Sequence, residues 1–379
     1  MEAMRVISAD THVVEPDGLW VQRLDRKLAD KAPRVVPCNG RPSLVAPGIE
    51  PFALGGVTSH GQTGGDLEKH MGRGYEAARP SGWDPVERLK DQDLDGVSAE
   101  LLYGSLGMPL FALKDIELQQ ACFRVYNDWI AEFCSHDPKR LLGVAMVSVG
   151  DIGAAVKELE RCRRKGLRGA MIPGSAPKGA PYSRKLYDPL WQAASDLEIP
   201  VSLHVTTSPD ADSPSKRAIA DASIVDADAP GTWVAALYFF LPTDMQHSLF
   251  QLVMGKVFER FSRLKIVSAE NDTGWLPHFI YRLDHTCERY GGYFSLKEKP
   301  GDYLKRQLWA TFLDDRVGAL TYGIFGENNY MWGSDFPHSD CTWPNSREVI
   351  ARDFADIPDS VTRKIICDNA ASLYGFPRT

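Results

Sequence analysis

Residues 5–12 read Arg-Val-Ile-Ser-Ala-Asp-Thr-His, a short apolar run that ends in two ionisable side chains. Side chains alternate along a strand, so Asp10 and His12, two apart, point to the same side. The figure returns in Val-Ser-Leu-His (201–204), in Lys-Ile-Val-Ser-Ala-Glu (265–270) and in Tyr-Met-Trp-Gly-Ser-Asp-Phe (330–336). Working outward, strand-like runs are predicted at 5–12, 97–103, 141–147, 167–173, 200–205, 264–270, 308–313 and 330–336. They are rich in Val, Ile and Leu and nearly continuous in apolar character, as strands buried on both faces should be.

Segments of helical period lie between them. In Asp151–Arg164, Ile152, Ala155, Val156, Leu159 and Cys162 share one face while the basic residues turn outward. Asp151 is placed to cap this helix and Gly166 to stop it. Tyr187–Glu198, 245–259, Gly274–Arg289 and Asp314–Phe325 are read in the same way. Strand and helix alternating eight times predicts an α/β fold, a distorted (β/α)8 TIM barrel, with a doubly wound open sheet as the alternative. The chain is read as one barrel domain, 1–379. Two stretches exceed the minimal barrel, 17–80 after the first strand and 206–231 after the fifth. These insertions are expected to cap the carboxyl ends of the strands, where barrel active sites are built.

Composition narrows the class. The 379 residues are 44% hydrophobic and 25% charged, as in ordinary folded proteins. With 43 basic and 50 acidic side chains the formal charge is −7, which gives no electrostatic ground for a nucleic-acid or anionic-membrane partner. No apolar run approaches the roughly 18 residues of a membrane span. Seven cysteines without a Cys-x-x-Cys pair argue against a disulfide framework and a zinc knuckle. A cytoplasmic protein is expected.

Chemistry is expected where the ionisable residues end the strands. Asp10 and His12, His204, Glu270 and Asp335 would converge at one mouth of the barrel. One such residue alone is more often a cap, but agreement among four strand ends is a signal. A mixed histidine and carboxylate set suits Zn²⁺, Mn²⁺ or Fe²⁺. His338, three residues beyond Asp335 and held by Pro337, is a candidate for proton transfer or substrate contact. Glu15 is assigned a structural role in its loop. Trp343 is read as packing, with the pocket wall as the alternative.

Asp-Thr-His-Val-Val-Glu-Pro (10–16), His204, Glu270 with Gly-Trp-Leu-Pro (274–277), Gly-Ser-Asp-Phe-Pro-His (333–338) and Asn-Ala-Ala-Ser-Leu-Tyr-Gly (369–375) together resemble the amidohydrolase-related family. That family includes the aminocarboxymuconate-semialdehyde and resorcylate decarboxylases. The resemblance runs from the first strand to the last few residues. It implies a divalent metal held by Asp10, His12, His204 and Asp335. The first position is more often His or Glu, so Asp10 is a mild departure. Glu270 stands where the decarboxylases carry His, and is the larger one.

The resemblance implies a metal-dependent hydrolase or non-oxidative decarboxylase acting on a small carboxylated or cyclic compound, with Glu270, Asp335 and His338 as catalytic residues. One alternative is a dinuclear iron oxygenase on the same scaffold, with a second metal bound through Glu270 and His338. Another is a metal-retaining partner subunit of a hetero-oligomer. A small-molecule substrate and a homo-oligomer, most simply a dimer, are the expected partners.

Overall fold

The computed structural model describes residues 4–222 and 232–377. Eight parallel strands, β1 (Ile7–Val13), β2 (Ala99–Gly104), β3 (Leu141–Met146), β4 (Gly169–Pro173), β5 (Val201–His204), β6 (Ile266–Ala269), β7 (Leu308–Phe312) and β8 (Tyr330–Trp332), pair in sequence order. Helices such as 116–134, 152–164 and 242–254 connect successive strands around the outside. The architecture is a (β/α)8 barrel, and the open-sheet alternative falls.

The ring closes between β8 and β1 without a regular ladder. The Asp335 N–H donates to the Asp10 carbonyl at 3.0 Å, and the His12 N–H to the Phe336 carbonyl at 2.7 Å. Gly333 permits this approach. A Cβ there would lie 2.7 Å from the Asp10 Cβ and 2.8 Å from its carbonyl oxygen.

The core follows from the patterning. Residues 141–146 are buried throughout, and in helix 152–164 Ala155, Leu159 and Cys162 face inward. Asp151 caps that helix, accepting the Ala154 N–H at 3.0 Å. Two expected helices differ. The stretch 314–325 holds only a short helix, Arg316–Leu320, and Thr321–Phe325, with Gly323 among them, continue as turns. The stretch 245–259 is two helices, Pro242–Met254 and Val257–Arg260, broken at Gly255 and by a left-handed Lys256 (φ 58°). His247 is exposed on the first.

The insertion after β1 contains a small antiparallel sheet of Arg34–Cys38, Arg41–Val45 and Phe52–Ala53, followed by helix Gly64–Met71. It touches the carboxyl end of the barrel. The His60 N–H donates to the Pro337 carbonyl at 3.1 Å, and the Tyr75 hydroxyl to the Glu15 carbonyl at 2.7 Å. The stretch after β5 carries helix Pro214–Ala222; its remainder, 223–231, lies outside the described residues. No helix among the described residues is long and apolar enough to cross a membrane. All seven cysteines are free.

Candidate metal centre

Asp10 and His12 leave β1 on its inner side, and His204 is the last residue of β5. Glu270 lies one residue past β6. Asp335 lies three past β8, which ends at Trp332 rather than at Phe336 as the sequence suggests. Both carboxylates sit on left-handed backbone, Glu270 at φ 53° and Asp335 at φ 54°. Such a conformation is costly for a residue with a Cβ, and it is tolerated where surrounding contacts enforce it. At Glu270 it follows the strand end directly, and at both positions it turns the chain at the barrel mouth.

The five side chains gather around His12 and Glu270, but Asp335 groups with those two and His338 rather than with Asp10 and His204. The His12 Nε2 lies 3.6 Å from Asp10 Oδ1, 3.4 Å from Glu270 Oε2 and 3.2 Å from Asp335 Oδ1. The His204 Nε2 lies 3.7 Å from Asp10 Oδ1 and 3.4 Å from Glu270 Oε2. Two groups of donors lie within 4.8 Å of one another: Asp10, His12, His204 and Glu270, and His12, Glu270, Asp335 and His338.

Tautomers follow from the carbonyls behind the rings. The His12 Nδ1 is 3.0 Å from the Gly104 carbonyl and the His204 Nδ1 is 3.1 Å from the Val205 carbonyl. A carbonyl only accepts, so both Nδ1 atoms carry hydrogen and, in the neutral rings, both Nε2 atoms present lone pairs inward. Asp10 Oδ1, Glu270 Oε2 and Asp335 Oδ1 also point inward, and all five atoms are buried without a hydrogen-bond partner. Five converging acceptors repel one another unless positive charge sits among them. A divalent cation supplies that charge, and the mixed donors suit one.

The pKa shifts express the same conflict. Burial opposes charge on His12, yet the Asp335 and Asp10 carboxylates raise its pKa. Burial likewise opposes charge on His204, and Asp10 and Glu270 raise it. Burial, reinforced by the Asp335 charge, pushes Glu270 well above the carboxylate range. Burial acts in the same sense on Asp335, but the facing imidazoles of His338 and His12 hold it well below. Of the five side chains Glu270 is the most open, 19% exposed against 0% for Asp10, His12 and His204.

His338 is fixed at the rim. Its Nδ1 lies 3.2 Å from Asp335 Oδ1 and its Nε2 2.9 Å from the Ser105 hydroxyl. Ser105 spends its one proton on the Val13 carbonyl at 2.8 Å, so the His338 Nε2 is the donor in their contact. In the neutral ring Nδ1 is then left with a lone pair, facing Asp335 Oδ1 rather than donating to it. Glu15 is buried and accepts from the backbone N–H groups of Ser105, Leu106 and Gly107 at 2.8–3.3 Å, the structural role expected of it. Trp343 packs against His60 and Phe336, at 5.2 and 5.1 Å between ring centroids, and its indole N–H donates to the Asp91 carbonyl at 3.3 Å.

Two supporting residues escaped the sequence reading. Arg88 is fully buried. Its guanidinium bonds Glu100 at 2.7 Å, the His12 carbonyl at 2.7 Å and the Thr11 hydroxyl at 2.5 Å. Thr311, fully buried on β7, donates to Asp10 Oδ2 at 2.6 Å and accepts from the Glu270 N–H at 2.8 Å. A lone Thr in an apolar strand, or a lone Arg on the inner face of a helix, is the only trace either leaves in the sequence.

A parallel barrel that gathers carboxylates and imidazoles at its carboxyl mouth defines a metal-dependent barrel enzyme. The comparisons agree. The amidohydrolase family model matches residues 19–376, and the chain belongs to that family. It is 26% identical to the gamma-resorcylate decarboxylase of Polaromonas sp. (strain JS666 / ATCC BAA-500) over 77% of this chain and 87% of that protein. Among solved structures, an amidohydrolase from Mycobacterium avium subsp. paratuberculosis K-10 superposes with TM-score 0.79 at 22% identity, covering 98% of each chain. A dihydroxybenzoic acid decarboxylase from Polaromonas sp. JS666 superposes with TM-score 0.67 at 18% identity over 99% of this chain and 98% of that one, and its structure holds manganese and 2-nitroresorcinol. None of these relatives is described as an oxygenase.

Proposed function

We propose that the chain is a metal-dependent, non-oxidative decarboxylase of a small carboxylated aromatic acid. The observation that carries this reading is the set of five inward, partnerless acceptors on Asp10, His12, His204, Glu270 and Asp335. The names of the relatives supply the reaction class. Asp10, His12, His204 and Asp335 would hold one divalent ion. That ion would chelate the substrate carboxylate and a neighbouring oxygen, and would draw electron density from the bond to be broken.

The chain's own residues handle the proton. Decarboxylation leaves an electron pair on the ring carbon, which must gain a proton as carbon dioxide departs. Glu270, the most open carboxyl of the five, is placed to give it. His338, held by its bond to Ser105, stands behind the strand-eight carboxylate with Nδ1 3.2 Å from Asp335 Oδ1. The test is turnover of a panel of hydroxybenzoates by manganese-loaded protein in deuterium oxide. Release of carbon dioxide with one deuteron in the aromatic product is expected. Hydrolysis of ester or amide analogues with no decarboxylation in the panel would overturn the reading.

A second reading has its own observation: His12 and Glu270 belong to both donor groups. In it Glu270 ligates, and a second ion sits towards Asp335 and His338. It is supported by His338 Nδ1, which in the neutral ring keeps its lone pair because Nε2 carries the hydrogen given to Ser105. Two metal equivalents per chain by elemental analysis would favour it.

We also read residues 1–379 as one domain whose insertions, 17–80 and 206–231, cover the mouth. The bonds from His60 to Pro337 and from Tyr75 to Glu15 support this for the first insertion. A cytoplasmic location fits seven unpaired cysteines, which persist in reducing compartments, and we read the chain as a homo-oligomer. Light scattering on the purified chain would test the assembly.

A further inference from the structure

We infer that Thr311 is a positioning residue that sets the metal-facing geometry of Asp10 and Glu270 together. The inference rests on the metal reading above. Strand β7 contributes no ionisable side chain to the cluster, yet its one inward hydroxyl touches two of the residues that form it. The Thr311 hydroxyl has one proton, and it gives that proton to Asp10 Oδ2 at 2.6 Å. Its lone pair receives the Glu270 N–H at 2.8 Å. The direction of both bonds is therefore fixed, and the hydroxyl is buried where no solvent competes for it.

Two consequences follow. Asp10 has one oxygen occupied, so it offers the centre a single atom, Oδ1, the one that lies 3.6 and 3.7 Å from the two imidazole nitrogens. An aspartate without that bond is free to rotate both oxygens towards the cation or away from it. Glu270, for its part, is held at φ 53° by a bond to its own N–H, and this conformation aims its carboxyl at the same point. Remove the hydroxyl and the left-handed turn loses its tether while Asp10 loses its orientation. One atom thus couples the first strand to the sixth through the seventh. Partners that orient the side chains of a metal site characteristically alter affinity by about 10–100-fold when removed.

The experiment is titration of metal-free protein with manganese(II) alone, read as bound metal by equilibrium dialysis, for the wild type and three variants. Thr311→Val keeps the shape and removes the hydroxyl, Thr311→Ala removes both, and Thr311→Ser keeps the hydroxyl. Valine and alanine should each weaken manganese binding by about 10–100-fold, and serine should stay within about threefold of the wild type. Melting temperatures of the metal-free valine and serine proteins should agree within about 4 °C, separating positioning from folding. If valine binds manganese like the wild type while alanine does not, Thr311 is a packing residue and the inference fails. If valine does not accumulate as folded protein, the alanine and serine pair decides, and equal affinities overturn the inference. A wild type that binds no manganese overturns the metal reading itself, a result distinct from wild-type binding that the variants leave unchanged.

Discussion

The imidazole of His338 is stacked on that of His12, with ring centroids 3.9 Å apart and planes 30° from parallel. One ring faces the metal-type cluster with its Nε2; the other donates from Nε2 to Ser105 and turns Nδ1 to within 3.2 Å of Asp335 Oδ1. The stack places His338 directly behind a ligand-type ring. His338→Gln should lower turnover by about 10–100-fold, the scale of a lost positioning contact, and leave manganese content near wild type. Loss of metal on this substitution would move His338 into the ligand set.

His204→Ala removes a donor that no neighbour replaces, since its Nε2 lies between Asp10 and Glu270. Manganese affinity should fall by at least about 100-fold, measured by equilibrium dialysis, and stripping the wild type with a chelator should abolish turnover until metal is restored. A variant with full metal content would show that the centre lies elsewhere.

Glu270→Gln keeps the side-chain shape and removes the transferable proton. Turnover should drop about 10²–10⁴-fold with one metal equivalent retained. If the variant loses an equivalent, Glu270 is a ligand and the two-ion reading gains. Unchanged turnover would remove it from the mechanism.

Gly333→Ala should damage the barrel closure rather than the chemistry alone. Its new Cβ would sit 2.7 Å from the Asp10 Cβ and 3.1 Å from the Asp10 nitrogen, and backbone on that side cannot retreat cheaply. A loss of about 1–3 kcal/mol is expected from urea unfolding, together with weaker manganese binding. Wild-type values for both would mean that the closure has slack.

Asp95 makes a prediction in pH. It is buried, accepting the Ser346 N–H at 2.9 Å and the Ser346 hydroxyl at 2.6 Å. Burial outweighs those bonds and lifts its carboxyl from 3.8 to about 6. The folded state thus holds the proton more tightly than the unfolded chain. This favourable contribution is complete below 3.8 and is lost as pH climbs through about 6, by about 3 kcal/mol at most. Asp95→Asn, neutral throughout, should gain on the wild type between pH 4 and pH 7 in urea titrations. Parallel stability curves would refute the shift.

The barrel was legible because its strands are buried on both faces. Leu141–Met146 and Gly169–Pro173 are apolar without interruption, and the ionisable residues at their neighbours' ends stood out against that background. The small sheet after β1 was less legible, for Arg34–Cys38 is mostly half-exposed and contains Pro37. Its one clear mark is Asn39-Gly40, a pair at φ 50° and 76° that turns the hairpin. The positions of Glu270 and Asp335 beyond their strands could not be read, because nothing in a Glu or Asp announces left-handed backbone. Thr311 and Arg88 were hidden for another reason. Each acts through partners hundreds or tens of residues away, and only the fold brings them together.

The joint between the first and last strands bears on how such a barrel can be redesigned. Residues 333–338 both carry the strand-eight carboxylate and seal the cylinder through the Asp335 and Phe336 backbone. A loop that serves as a seam cannot also swing as a gate, nor accept added length, without springing the staves apart. Added length is better borne by the first insertion, where His60 and Tyr75 only lean on that seam. Grafting between relatives should succeed with segment 17–80 and fail with 333–338.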